Sequence, residues 1–130
     1  MSQVLIVDDE PMVCAGLEKL LTRDGNDVRV VNSLREGKLA IAWGVLDILP
    51  MWHVAIIDLE LQGSIDDGCE LLRLLPVCVV PIVLSGHDIA AMRDRVEHPS
   101  ALGGGLWIQK PPVDIDMRNL RAMVKAAGRT

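Results

Sequence analysis

The chain has 130 residues, half of them apolar, and carries 13 basic against 18 acidic side chains for a net charge of −5. That length suits one domain with a genuine core, and the acidic balance argues against unaided nucleic-acid binding. Every apolar run stops short of the roughly 20 residues a membrane span needs, and the Met1-Ser2-Gln3 start has no basic region, so a cytoplasmic protein without membrane contact is expected.

Val4-Leu5-Ile6-Val7 is a continuous aliphatic run, as a strand buried on both faces requires, and it ends in carboxylates, Asp8-Asp9-Glu10. Pro11 follows at a natural first helical position, behind acidic residues that suit a helix N-terminus. From there Val13, Leu17, Leu20 and Leu21, with Cys14, fall at helical spacing, and Gly25-Asn26 closes the helix. Val28 to Val31 reads as a shorter strand. Ser33 can cap a second helix over Leu34 to Asp47, weakened by Gly37 and Gly44. Val54-Ala55-Ile56-Ile57 is a third apolar run and ends abruptly in Asp58.

Beyond Asp58, the stretch Gly63 to Gly68 reads as a polar loop, and Cys69, Leu71, Leu72 and Leu75 fit a short helix stopped by Pro76. A buried strand over Val79 to Leu84 ends at Ser85-Gly86-His87-Asp88. Ile89, Met92 and Val96 give a modest helical stripe that Pro99 terminates. Gly103-Gly104-Gly105 lacks the Gly-Lys-Ser/Thr sequel of a phosphate-binding loop and reads as a connection. Leu106-Trp107-Ile108 is the last strand, followed by Gln109-Lys110-Pro111-Pro112. In the final helix Val113, Met117, Leu120, Val124 and Ala127 share a face, with Arg118, Arg121 and Lys125 turned away.

The core must be mostly aliphatic, because the chain has no Phe, no Tyr and three Trp. Three cysteines, Cys14, Cys69 and Cys78, are odd in number, lack metal-ligand spacing and lie in apolar segments, which predicts buried reduced thiols. Strands alternating with helices imply a three-layer α/β sandwich around a parallel sheet. In a flavodoxin-like order 2-1-3-4-5 the switch point lies between the first and third strands, where Asp8, Asp9 and Asp58 converge, bordered by Ser85 and Lys110. Three carboxylates in one crevice repel one another unless a cation neutralises them, and an oxygen-rich site suits Mg²⁺.

With those strand ends in view, the chain resembles the CheY-like receiver domains of two-component response regulators from about Gln3 to Ala127. The resemblance rests on Leu5-Ile6-Val7-Asp8-Asp9-Glu10-Pro11, Ile56-Ile57-Asp58-Leu59-Glu60-Leu61, Pro81-Ile82-Val83-Leu84-Ser85-Gly86 and Trp107-Ile108-Gln109-Lys110-Pro111. It implies a single receiver domain over 1–130, with no output domain in this chain. Asp58 would be phosphorylated by a histidine kinase, a phosphotransfer protein or a small phosphodonor. Asp8, Asp9, Asp58 and the backbone carbonyl of Glu60 would bind Mg²⁺, and Ser85 and Lys110 would contact the phosphoryl group. Catalysis would be limited to the domain's own phosphorylation and dephosphorylation, with Glu60 and His87 at positions that influence phosphate loss. Lys110-Pro111 would be cis.

Signalling would pass through Ser85 and Trp107, which stands where the family often carries a Tyr or Phe that swings inward. The repacked face, formed by the fourth helix, fifth strand and fifth helix, would meet a downstream protein or a second copy of the chain, with Arg118, Arg121 and Lys125 at its flank. Two alternatives stay open. Asp58-Leu59-Glu60 is similar to the Asp-x-Asp signature of haloacid-dehalogenase-type phosphatases, although Glu60 departs from it and Asp8-Asp9 would be left without a role. The other alternative is a degenerate receiver serving only as an interaction module.

Overall fold

The computed structural model describes residues 1–46, 51–63, 65–86 and 106–128. Among them run β1 (Gln3–Val7), α1 (Pro11–Arg23), β2 (Asp27–Val31), α2 (Leu34–Val45), β3 (Val54–Asp58), a 3-10 turn (Leu61–Gly63), α3 (Ile65–Leu74), β4 (Val80–Ser85), β5 (Leu106–Gln109) and α4 (Asp114–Ala127). The strands form one parallel sheet in the order β2-β1-β3-β4-β5, as expected. The stripe over residues 89–96, Gly103 to Gly105, His87 and His98 lie outside the described residues.

Alternation along the strands divides the core between two faces. Leu5, Val7, Ala55, Ile57, Val83 and Trp107 pack on one side with Ala40 and Ile41 of α2 and with Leu71 and Leu72 of α3. Val4, Ile6, Val54, Ile56, Ile82, Leu84 and Ile108 pack on the other with Cys14, Leu17 and Leu21 of α1 and with Leu120 and Val124 of α4. This explains the unbroken aliphatic runs, because β1, β3 and β4 face helices in both pleat directions. At roughly 1.5–3 kcal/mol for each fully buried Leu or Ile, these two layers stabilise the sheet whose strand ends share one crevice.

Caps and small residues set the helices. Ser33 Oγ accepts the Glu36 N–H at 3.2 Å and starts α2 as expected. Gly37 sits close against α3, since a Cβ there would lie 3.1 Å from the Leu71 methyl carbons, which would have to shift by a few tenths of an ångström. The polar stretch after Gly63 is corrected: α3 begins at Ile65, with Asp66 and Asp67 in its first turn where they favour the helix N-terminus. Gly68 lies inside this helix because a Cβ would fall 2.4 Å from the Leu59 carbonyl oxygen. That approach seats α3 against the segment just after Asp58. Gly68→Ala is therefore expected to cost roughly 2–3 kcal/mol by overpacking, read as a lower urea midpoint at unchanged m-value. Stability equal to wild type would show that the Asp58 loop yields freely.

One further expectation changes. Cys14 and Cys69 are buried, but Cys78 is exposed, on the turn after α3 where Val77 is also fully exposed. His53 ties the opposite end of the sheet together. Its Nδ1 accepts the Gln3 N–H at 2.8 Å, and its carbonyl accepts the Val80 N–H at 2.9 Å.

Candidate functional site

Parallel strands deliver their C-terminal ends to one edge, and here the edge is acidic with a single ammonium at its centre. Asp8 directly follows β1, Asp58 is the last residue of β3, Ser85 ends β4, and Lys110 directly follows β5. Asp8, Asp58 and Ser85 are buried. The two aspartates are held in the same way: Asp8 Oδ1 accepts the Glu10 N–H at 2.9 Å, and Asp58 Oδ1 accepts the Glu60 N–H at 3.1 Å. Each loop thus makes the local side-chain turn that aspartate favours. The second oxygens face inward, with Lys110 Nζ 3.0 Å from Asp8 Oδ2 and 3.3 Å from Asp58 Oδ2.

Lys110 is positioned from several directions. Its backbone N–H donates to the Ser85 carbonyl at 2.7 Å, and the Lys110-Pro111 bond is cis. Its ammonium also donates to Glu10 Oε1 at 2.9 Å. Burial pulls this ammonium toward its neutral form, but the hydrogen bond to Glu10, the contact with Asp8 and the charge of Asp58 outweigh that and raise its pKa. Asp58 moves the opposite way for an acid: burial, then repulsion by Asp8, push its carboxyl from 3.8 up to about 7, against the pull of Lys110. Behind Asp8, the Cys14 thiol donates to the Asp8 carbonyl at 3.2 Å. Burial, followed by the charge of Asp8, pushes that thiol up to about 11, so it stays neutral and serves as a packing and hydrogen-bonding group.

The donor set fits a hard divalent cation. Asp8, Glu10 and Asp58 each offer an oxygen, all within 4.8 Å of one another. Asp8 Oδ2 is buried and lacks an aligned hydrogen-bond donor, although Lys110 lies near it. An all-carboxylate cluster with such an oxygen is suited to Mg²⁺.

No protein-family model matches the sequence, and no curated protein matches it. Solved structures do. A response regulator receiver protein from Sinorhizobium medicae WSM419 aligns with a TM-score of 0.76 at 18% identity, over 99% of this chain and 95% of that one. The receiver protein from Burkholderia phymatum gives 0.69 at 26% identity over 96% of each chain. A CheY-like receiver domain protein from Methanospirillum hungatei JF-1 gives 0.69 at 21% identity, over 99% and 98%. This is the fold of a response regulator receiver domain.

Set in the receiver fold, the residues singled out from the sequence fall into two groups. Asp8, Asp58 and Lys110 meet at one point. Asp9 is exposed and lies outside the Asp8-Glu10-Asp58 group. Ser85 is at its strand end, but its hydroxyl donates to Glu60 Oε1 at 2.6 Å. Trp107 is buried beside Val83 on the α2–α3 face of the sheet, not at the crevice. On α4, Arg121 grips Asp24 with two 2.8 Å hydrogen bonds, and Arg118 and Lys125 line the same groove, while the fourth helix of the face they are expected to flank lies outside the described residues.

The sequence reading missed the side chains of Glu10 and Glu60. From the sequence, Glu10 reads only as an acid before a helix, and Glu60 as a backbone ligand at a position that influences phosphate loss, with no partner assigned to either side chain. The available signal was their shared spacing, each two residues beyond a strand-end aspartate whose carboxylate turns back onto their N–H.

Proposed function

We propose that the chain is a phosphorylation-controlled receiver in which Asp58 accepts a phosphoryl group from a histidine kinase, a phosphotransfer protein or a small phosphodonor. The observation that carries this reading is the position of Asp58 Oδ2, buried at the mouth of the central strand, 3.3 Å from Lys110 Nζ and held by its partner oxygen's bond to Glu60. An ionised carboxylate is a competent nucleophile toward phosphorus. An Asp58 Oδ2 lone pair forms the new O–P bond while the bond from phosphorus to the donor breaks, its electron pair leaving on the donor atom. Lys110 supplies positive charge to the phosphoryl oxygens, and Ser85 supplies a hydroxyl donor. Receiver-domain neighbours support a signalling role, and in this reading the chemistry is confined to the domain's own phosphorylation state.

Mg²⁺, when bound, would offset the carboxylate repulsion and draw charge from the transferring group. Asp8 and Asp58 are the buried ligands in this reading, Glu10 is within reach of both, and Asp9 with the Glu60 carbonyl completes the set implied by the family resemblance. Magnesium at ten times its dissociation constant should contribute about 1.4 kcal/mol to stability. The resulting rise in melting temperature should be lost in Asp8→Asn and reduced in Asp9→Ala. A full shift in both variants would place the cation elsewhere.

The output in this reading passes from Ser85 through β4 to Trp107 and on to a downstream protein or a second copy of the chain. Beryllofluoride with Mg²⁺ imitates the phosphoryl group and should change tryptophan fluorescence, with most of the change lost in Trp107→Leu. If the change survives there and disappears in a Trp43 or Trp52 variant, Trp107 is not the responding ring.

A further inference from the structure

The carboxylate of Glu60 crosses from the end of β3 to the end of β4, and both of its oxygens are engaged there. Oε1 accepts the Ser85 hydroxyl at 2.6 Å, and Oε2 accepts the Gly86 N–H at 3.1 Å. The backbone on either side is fixed. The Glu60 N–H is held by Asp58 Oδ1, and the preceding Leu59 is fully buried with its N–H on the Leu84 carbonyl at 2.8 Å. Ser85 is itself fully buried, so its hydroxyl is directed by the packing around it. Asp58 pairs with Leu84 in the sheet, which puts the hydroxyl and the N–H one and two residues beyond the point opposite the acceptor.

A hydroxyl and a backbone N–H aimed together at two oxygens of one anion form an oxyanion cradle, and charge-assisted bonds of this kind are stronger than neutral ones. A phosphoryl group on Asp58 would present anionic oxygens to the same donors. Two anions cannot share one hydroxyl proton and one N–H, and their mutual repulsion adds to the competition.

We infer that Glu60 is a resident occupant of the phosphoryl cradle, a carboxylate that fills the Ser85 and Gly86 donors in the unphosphorylated chain and must be displaced before a phosphoryl group can use them. The inference rests on the receiver reading of the site and deepens it. Glu60 is a positioning residue that acts through Ser85 and Gly86. It raises the threshold for activation, because any phosphoryl group must break two hydrogen bonds to gain two. It also couples the β3 loop to β4, since a displaced Glu60 side chain leaves Ser85 to follow the new anion.

The test uses the whole chain with Mg²⁺ and beryllofluoride, followed by saturation of the fluorescence or amide signal. Glu60→Ala should lower the half-saturating beryllofluoride concentration about tenfold, and without any ligand it should shift the Gly86 amide resonance. Glu60→Gln separates hydrogen bonding from charge, because the amide keeps one acceptor for the cradle while losing the charge. It should fall between wild type and Ala. A gain in Gln equal to that in Ala, or a Gly86 resonance unmoved by Glu60→Ala, would overturn the inference in favour of simple repulsion. If wild type binds beryllofluoride and Glu60→Ala binds no better, the role of Glu60 falls while the receiver reading stands. If neither protein binds it and Asp58 takes no phosphate, the receiver reading falls and takes this inference with it.

Discussion

Replacing Asp58 with Asn is expected to abolish phosphorylation by acetyl phosphate and Mg²⁺ and, without a divalent cation, to make the protein more stable than wild type at pH 8. The first effect follows from the nucleophile, since an amide has no anionic oxygen to attack phosphorus. Intact-mass measurement should show one added phosphate in wild type and none in the variant; stoichiometric labelling of Asp58→Asn would move the acceptor to another residue. The second effect follows from linkage. The Asp58 carboxyl is raised from 3.8 to about 7 by burial and by Asp8. Between about pH 4 and pH 7 the folded protein therefore holds a proton that the unfolded chain has released, and stability falls as pH rises through that window. Above about 7 the folded state carries the full cost of the buried charge, roughly 1–3 kcal/mol once solvent screening at the crevice mouth is allowed for. The Asn variant avoids that cost, so its advantage should be clear at pH 8 and absent near pH 4. An advantage that does not change with pH would show that Asp58 is not the titrating group.

Lys110→Met is expected to act in the opposite direction and more strongly. The methionine keeps much of the volume but removes the ammonium that lies within 3.3 Å of Asp8, Glu10 and Asp58 oxygens. Taking one partner from a buried ionic cluster leaves uncompensated charge, at a cost of roughly 3–5 kcal/mol. The loss should be largest at pH 8 without divalent cation. It should shrink as the pH falls and Asp58 protonates, and Mg²⁺ should restore part of it. Urea unfolding at pH 8 and pH 5, with and without Mg²⁺, would measure all of this. A variant as stable as wild type at pH 8 would mean that Lys110 is not needed to hold the carboxylates together. Phosphorylation should also slow greatly, since the phosphoryl oxygens lose their cation.

Much of the site was legible because its chemistry is attached to strand ends. β1, β3 and β4 are buried on both faces, so their aliphatic runs stop where the core stops, and Asp8 and Asp58 stand out as the first charges beyond it. Lys110 could be placed in the same way, through strand order. What stayed hidden depends on reach. Glu10 lies 100 residues from Lys110, and Glu60 lies 25 from Ser85. No periodicity reports where the tip of a flexible glutamate comes to rest. Gly68 was misread for a related reason: beside Asp66 and Asp67 it has the composition of a loop, while the demand for glycine comes from the Leu59 carbonyl pressed against the helix. Cys78 is exposed although its apolar segment predicts burial, because the chain is still turning there and exposes Val77 as well.

The paired turns at Asp8 and Asp58 make the two oxygens of each carboxylate unequal. One oxygen of each is anchored to the N–H two residues on, and a flip about the last side-chain bond would break that anchor. The remaining oxygen of Asp58 therefore meets an incoming donor with its rotation already arrested, and the entropy of aiming the nucleophile is lost when the chain folds, not at each encounter. Glutamate has an extra methylene and could not close the same two-residue turn. The acceptor position is thus keyed to side-chain length as well as to charge, and a longer acid there would keep the charge while losing the aim.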